Sequence, residues 1–173
     1  MRRGEVLGLP WRNVDLNTGR LVVDQQILSV EYGAQVADVK TTNSRRTIDI
    51  NERTVAMLKV WRRQQLEQRL STGQRDDDDF VFTRPDGKPI HPDFFSQSWA
   101  KLVRESGLRR IRLHDLRHTH ASILLKEGIV PKVVSERLGH SSPAFTMTVY
   151  QHVLPGMQAD AAAAFSAAVF DRR

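Results

Sequence analysis

Apolar residues alternate with polar ones in the first third of the chain and recur every three to four residues beyond it, and this change of period divides sheet from helix. VDL, the turn NTG and then RLVVDQQILSV read as a strand and a longer partner. Glu31 to Ala34 make a second turn around Gly33, QVADVK is a third strand, and Thr47-Ile48-Asp49-Ile50 is a fourth. Together they predict a small antiparallel sheet near the N-terminus. Ahead of it, MRRGEVLGL carries a fragment of apolar face at Val6 and Leu9 that Pro10 stops, the tail of a helix.

From Asn51 onward the spacing is helical. Asn51 caps a helix with Val55, Leu58 and Trp61 on one face, running to about Leu70 before Thr72-Gly73. After an acidic loop, DFVF reads as a short strand. Pro92 suits a first helical position, Phe95, Trp99, Leu102 and Val103 carry the next apolar face, and Gly107 ends it. Further helices run from near His114 to Gly128, from Pro131 through Leu138, from the Ser142-Pro143 cap past Tyr150, and from Pro155 along MQADAAAAFSAAVF, whose larger apolar groups are Phe165, Val169 and Phe170. The fold class is α+β, mainly helical with one small antiparallel β-sheet. At 173 residues the chain suits a single core, so residues 1–173 are read as one domain.

Composition narrows the partner. Hydrophobic residues make up 40% and charged residues 27%, a globular balance, and no apolar run approaches membrane-spanning length. With no cysteine, disulfides and thiolate zinc sites are excluded, and the lack of a signal peptide fits a cytoplasmic protein with no membrane partner. Lys and Arg number 26 against 20 Asp and Glu, a net charge of +6 that favours a polyanion. The excess concentrates at Lys101, Arg104, Arg109, Arg110, Arg112 and Arg117, opposed locally by Glu105 and Asp115 alone. The acidic run Asp76 to Asp79 reads as a solvated loop without a catalytic role.

That basic stretch holds LHDLRHTHA, where helical spacing turns His114, Arg117 and His118 into one space. Two chemistries compete for it. His114 and His118 have the spacing of two zinc ligands, but the intervening Glu of a hydrolase helix is missing and Arg117 would set a positive charge beside the ion. As a phosphate site, the arginine fork bonds non-bridging oxygens while an imidazole moves a proton. For His118 and His120 simple packing is expected. A nucleophile would make the phosphate grip an enzyme, and the two tyrosines are the candidates. Tyr32 falls in the hairpin turn beside Gly33, whereas Tyr150 follows His140 on a segment that can fold back toward the His114 helix.

Arg2 in RRGEVLGLPW, Lys40 in VKTTNSRRTI, His114 and Arg117 in LHDLRHTHAS, His140 in RLGHSS and Tyr150 in TVYQHV resemble, in order and approximate spacing, the active-site residues of the tyrosine recombinases, the phage integrase family. The resemblance runs nearly end to end, and Glu5 falls where the family has its glutamate, favouring Arg2 over Arg3. It implies that Tyr150 attacks a DNA phosphodiester, forming a 3′-phosphotyrosyl link and releasing a 5′-hydroxyl. Arg2, Arg117 and His140 would hold the phosphate oxygens, His114 would relay the tyrosine proton, and Lys40 would protonate the departing oxygen. No cofactor and no metal are implied, because arginines and lysine supply the positive charge. Arg45, Arg109, Arg110 and Arg112 are expected to meet double-stranded DNA, on which a tetramer of protomers would form by exchange of the C-terminal helix. Type IB topoisomerases share similar chemistry, but the length and LGHSS favour a recombinase; the reading from another class is a non-catalytic DNA-binding remnant.

Two departures qualify the expectation. Met1 stands where the family usually has the Leu of a Thr-Gly-Leu-Arg run, so the separate helical DNA-binding domain and the helices that lead to Arg2 are read as absent. The chain, bacterial or phage-encoded and nucleoid-associated, is accordingly expected to fold, to bind DNA weakly and without sequence preference, and to cleave poorly.

Overall fold

The computed structural model describes residues 1–31, 33–39, 44–73, 79–140, 144 and 157–170. The chain starts with a short helix α1 (Arg3–Leu7) and a single 3-10 turn (Trp11–Asn13). Five strands follow, β1 (Val14–Asp15), β2 (Arg20–Val23), β3 (Gln25–Val30), β4 (Gly33–Asp38) and β5 (Arg46–Asp49). The helices beyond them are α2 (Glu52–Thr72), α3 (Pro92–Glu105), α4 (Leu113–Lys126), α5 (Pro131–Leu138) and α6 (Met157–Phe170). Asn51 caps α2 by accepting the Thr54 N–H at 2.8 Å, and Pro92 and Pro131 open their helices as expected. The architecture is α+β and mainly helical, with the antiparallel strands confined to the first third of the chain.

The strands fall into two ladders rather than one. β1, β2 and β5 form a three-stranded antiparallel sheet with Leu21 opposite both Val14 and Ile48, while β3 and β4 pair only with each other. The stretch read as one long strand is therefore broken at Asp24. Its carboxylate accepts from Asn13 Nδ2 at 2.6 Å and its carbonyl from the Val39 N–H at 3.1 Å, so the residue leaves one ladder to serve the base of the other. DFVF likewise forms no strand among the described residues: Phe80 makes an isolated bridge to Pro10, and the Val81 N–H donates to Leu9 O at 2.8 Å. Pro10 has no N–H to extend a ladder, and the segment instead buries Phe80 and Val81 in the core. The expected helix from Ser142-Pro143 through Tyr150 lies outside the described residues apart from Ala144, as do Tyr32 and most of the acidic run.

One core lies over the sheet: Val14, Leu21, Val23 and Ile48 meet Leu9, Trp11 and Val81, with Leu58 and Trp61 of α2 packed against them. Its polar groups are paired, for the buried Gln65 accepts from Trp11 Nε1 at 2.7 Å and donates to Phe80 O at 3.1 Å. A second cluster of Ala121, Leu125, Val134 and Leu138 joins α4 to α5. Two features then fix the helix ends that matter. α1 lies directly on β3, where a Cβ at Gly4 would sit 2.6 Å from Ile27 O, so no larger residue fits without moving the helix off the strand. Trp99 Nε1 donates to Ile111 O at 2.9 Å, tying α3 to the segment that leads into α4.

Candidate active site

Arg2 immediately precedes α1, and the acid three residues on returns to it. Glu5 accepts the Arg2 backbone N–H at 2.6 Å and Arg2 Nη1 at 2.8 Å, while Arg2 Nη2 reaches across the chain to Gly139 O at 2.8 Å. Glu5 is 1% exposed, yet it stays ionised. Burial, the largest influence, pushes its pKa up, but the hydrogen bonds from the Arg46 side chain and the Arg2 backbone outweigh it and hold the carboxyl down at about 2. Arg46 bonds both carboxylate oxygens, Nη2 to Oε2 at 2.8 Å and Nη1 to Oε1 at 3.1 Å.

α4 begins with the same device on the surface. Asp115 accepts the Arg112 backbone N–H at 2.9 Å and Arg112 Nη2 at 2.9 Å, which starts the helix so that His114, Arg117 and His118 follow in its first two turns. Arg117 is buried, 7% exposed. The His118 ring stands edge-on to His114, with centroids 4.7 Å apart. Burial, then His118 and Arg117, pull the His114 pKa below the ordinary histidine value, so its imidazole is neutral near pH 7 and able to take a proton. His120 does more than pack: its Nε2 accepts from Arg137 Nε at 3.2 Å. Among the described residues no three His, Asp or Glu side chains converge as metal ligands would.

His140 follows the left-handed Gly139 that closes α5, and its N–H donates to Ser135 O at 3.0 Å. Burial and the nearby charges of Arg117 and Arg2 lower its pKa to about 4. The segments are joined by contacts: His114 and Arg117 line one cavity with Met1 and Leu138, and Arg2 Nη2 is bonded to the Gly139 carbonyl immediately before His140. The structure thus brings together Arg2, His114, Arg117 and His140 of the sequence-derived set; Lys40 and Tyr150 lie outside the described residues.

Arg45, Arg109, Arg110 and Arg112 are exposed, Arg112 being held by Asp115. Arg110 and Arg112, with Arg3 and Arg104, line a cavity of about 1090 Å³ that His114 and Arg117 also line, with Trp99 and Leu138 in its wall. Arg46 is the residue that the motifs did not single out. The signal was there: Arg46 and Ile48 are two apart in a strand, so they share a face, and Ile48 belongs to the core. An arginine on an inward face requires a buried acid, and Glu5 is that acid.

The chain matches the phage integrase family over residues 1–156. It is 33% identical to a tyrosine recombinase XerC-like protein of Caldanaerobacter subterraneus subsp. tengcongensis, covering 93% of this chain and 44% of the relative, and 32% identical to the ICEBs1 integrase of Bacillus subtilis, covering 94% and 44%. In fold it resembles the Tn1549 transposon integrase in complex with transposon right end DNA, with a TM-score of 0.79 at 22% identity over 98% of this chain and 55% of the other. It also resembles the XerA recombinase, at 0.69 and 21% over 92% and 51%. The chain belongs to the phage integrase family. It spans about half the length of the curated relatives that it matches.

Proposed function

We propose that this chain is the catalytic part of a site-specific DNA recombinase that cuts and rejoins strands through a 3′-phosphotyrosyl intermediate. The observation that carries the proposal is the convergence of three separated segments, His114 and Arg117 lining a cavity shared with Met1 and Leu138 while Arg2 is bonded to the carbonyl before His140, in a chain of the phage integrase family.

In the reaction the Tyr150 phenolic oxygen attacks the phosphorus; the Tyr O–P bond forms as the P–O5′ bond breaks, so bond energy is conserved and no nucleotide cofactor is consumed. Neutral His114 accepts the phenol proton, and Lys40 gives one to the departing 5′ oxygen. The guanidiniums of Arg2 and Arg117 stabilise charge that grows on the non-bridging oxygens, and His140 adds a donor. Arg45, Arg109, Arg110 and Arg112 meet backbone phosphates, which position the duplex without reading its sequence. Phe165 and Phe170 of α6, 67% and 73% exposed, are suited to docking on a neighbouring protomer in a tetramer on DNA.

The test is covalent capture. Nicked suicide duplexes incubated with the chain give a detergent-resistant protein–DNA adduct, and Tyr150→Phe abolishes it. An adduct that survives in that variant removes Tyr150 as the nucleophile; no adduct with the parent chain removes the enzymatic reading and leaves DNA binding alone.

A further inference from the structure

The six groups that the reaction uses leave Arg46 unexplained, although it is heavily bonded beside them. Its guanidinium forks onto Glu5, and it also donates from Nε to Arg137 O at 2.9 Å and from Nη1 to Ser44 O at 2.9 Å. Arg137 O belongs to the last turn of α5, where unsatisfied carbonyls carry the negative end of the helix dipole and favour a cation. With the side chain 7% exposed, Arg46 has no surface to offer a phosphate. Its bonds close a circuit. Arg46 holds Glu5, Glu5 holds Arg2, Arg2 holds Gly139 O, and Arg46 holds the α5 turn that ends at Gly139.

We infer that Arg46 is a positioning residue, which sets Arg2 and the His140 turn in register with each other from behind the phosphate site. This inference rests on the recombinase reading for its catalytic consequence and on the bonds alone for its mechanical part. Two flexible donors around one phosphate must be held at a fixed separation, since misplacement by about 1 Å is enough to cost on the order of 10²-fold in rate. Glu5 alone fixes Arg2 relative to α1, but says nothing of where α5 lies. Arg46 joins the two. It sits at the first residue of β5, a strand locked in register with β2, so its own backbone is set by the three-stranded sheet. Lysine has the charge but lacks the fork and so cannot bond both carboxylate oxygens and two carbonyls in one plane.

The experiment compares the chain with Arg46→Lys, and with Glu5→Gln as a second break in the same circuit, each first verified as folded by thermal melting. In the DNA-free arm, amide hydrogen exchange is followed at Gly139 and His140, whose N–H groups both donate to Ser135 O. Arg46→Lys should speed exchange there by roughly 10-fold or more while leaving Leu125 and Val134 in the α4–α5 core unchanged. In the second arm, adduct formation on nicked duplexes of randomised sequence should slow by about 10–100-fold at saturating DNA, with half-saturation little altered. Combining Arg46→Lys with Arg2→Lys should lose much less than the product of the two single effects, because the first acts through the second. Unchanged exchange at Gly139 and His140 overturns the inference, as does a loss confined to half-saturation or to the folded fraction. Should the parent chain form no adduct at all, the recombinase reading fails, and the exchange arm alone decides whether Arg46 fixes the turn.

Discussion

Gly139 lies against Arg46 so closely that a Cβ on the glycine would stand 2.7 Å from Nη1 and 3.0 Å from Cζ. The same glycine has φ of 71°, in the left-handed region that other residues enter at a cost. Gly139→Ala therefore meets two penalties, strain and a displaced guanidinium. The expected loss is about 1–3 kcal/mol of stability, read as a lower urea midpoint at unchanged slope, with His140 displaced from the site.

Glu5→Gln tests the buried carboxylate. Removing its charge leaves Arg46 facing an amide that can accept only one strong fork bond, and breaking a buried ion pair costs about 3–5 kcal/mol. Chemical denaturation should show a loss of that order. A change below about 1 kcal/mol would mean that water replaces the carboxylate.

Acid should weaken the fold before the general titration of carboxylates. His140 titrates at about 4 in the folded chain against about 6.5 unfolded, so between those values the unfolded state binds the extra proton and stability falls as pH drops. His114 and His120, both lowered, add in the same direction. Glu5, held at about 2, joins only below about pH 4.5. Melting temperature followed from pH 7.5 to pH 3.5, about the span of these shifts, should decline from near 6.5 downward, and an NMR titration of His140 should show the low midpoint.

Adduct formation should be indifferent to a chelator, since arginine and lysine carry the positive charge that a metal would otherwise supply. Rates with and without chelator should agree within about twofold. A requirement for added divalent ion would return the histidines to the role of ligands.

DNA affinity should fall steeply with salt. Arg109→Ala and Arg110→Ala should each lower the slope of log affinity against log salt by about 1, with little change in the cleavage rate at saturating DNA. An unaltered slope would remove those two arginines from the phosphate contacts.

How much of this the sequence disclosed depends on the kind of contact. Helices α2 to α5 were legible because each carries a local stop or start, Asn51, Pro92, Gly107, Gly128 and Pro131, and those signals need no tertiary partner. The break at Asp24 was not, because it is made by Asn13 and Val39, whose proximity only the fold creates. At the site, His114, Arg117 and His118 were visible from helical spacing alone, and their order with His140 and Tyr150 gave the resemblance to the family. The link from Arg46 to Glu5 spans 41 residues, and a local pattern can show that an arginine faces inward without showing which acid receives it.

The separate β3–β4 hairpin has a bearing on how such a chain can diversify. Its six residue pairs are satisfied within the hairpin, and its hold on the rest includes α1 at its base and Ser29 and Gly33 bonded to Asp93 and His91 at the start of α3. A change in the length or surface of its turn leaves the pairing of the three-stranded sheet intact, because no rung of its ladder is shared with the strand that carries Arg46.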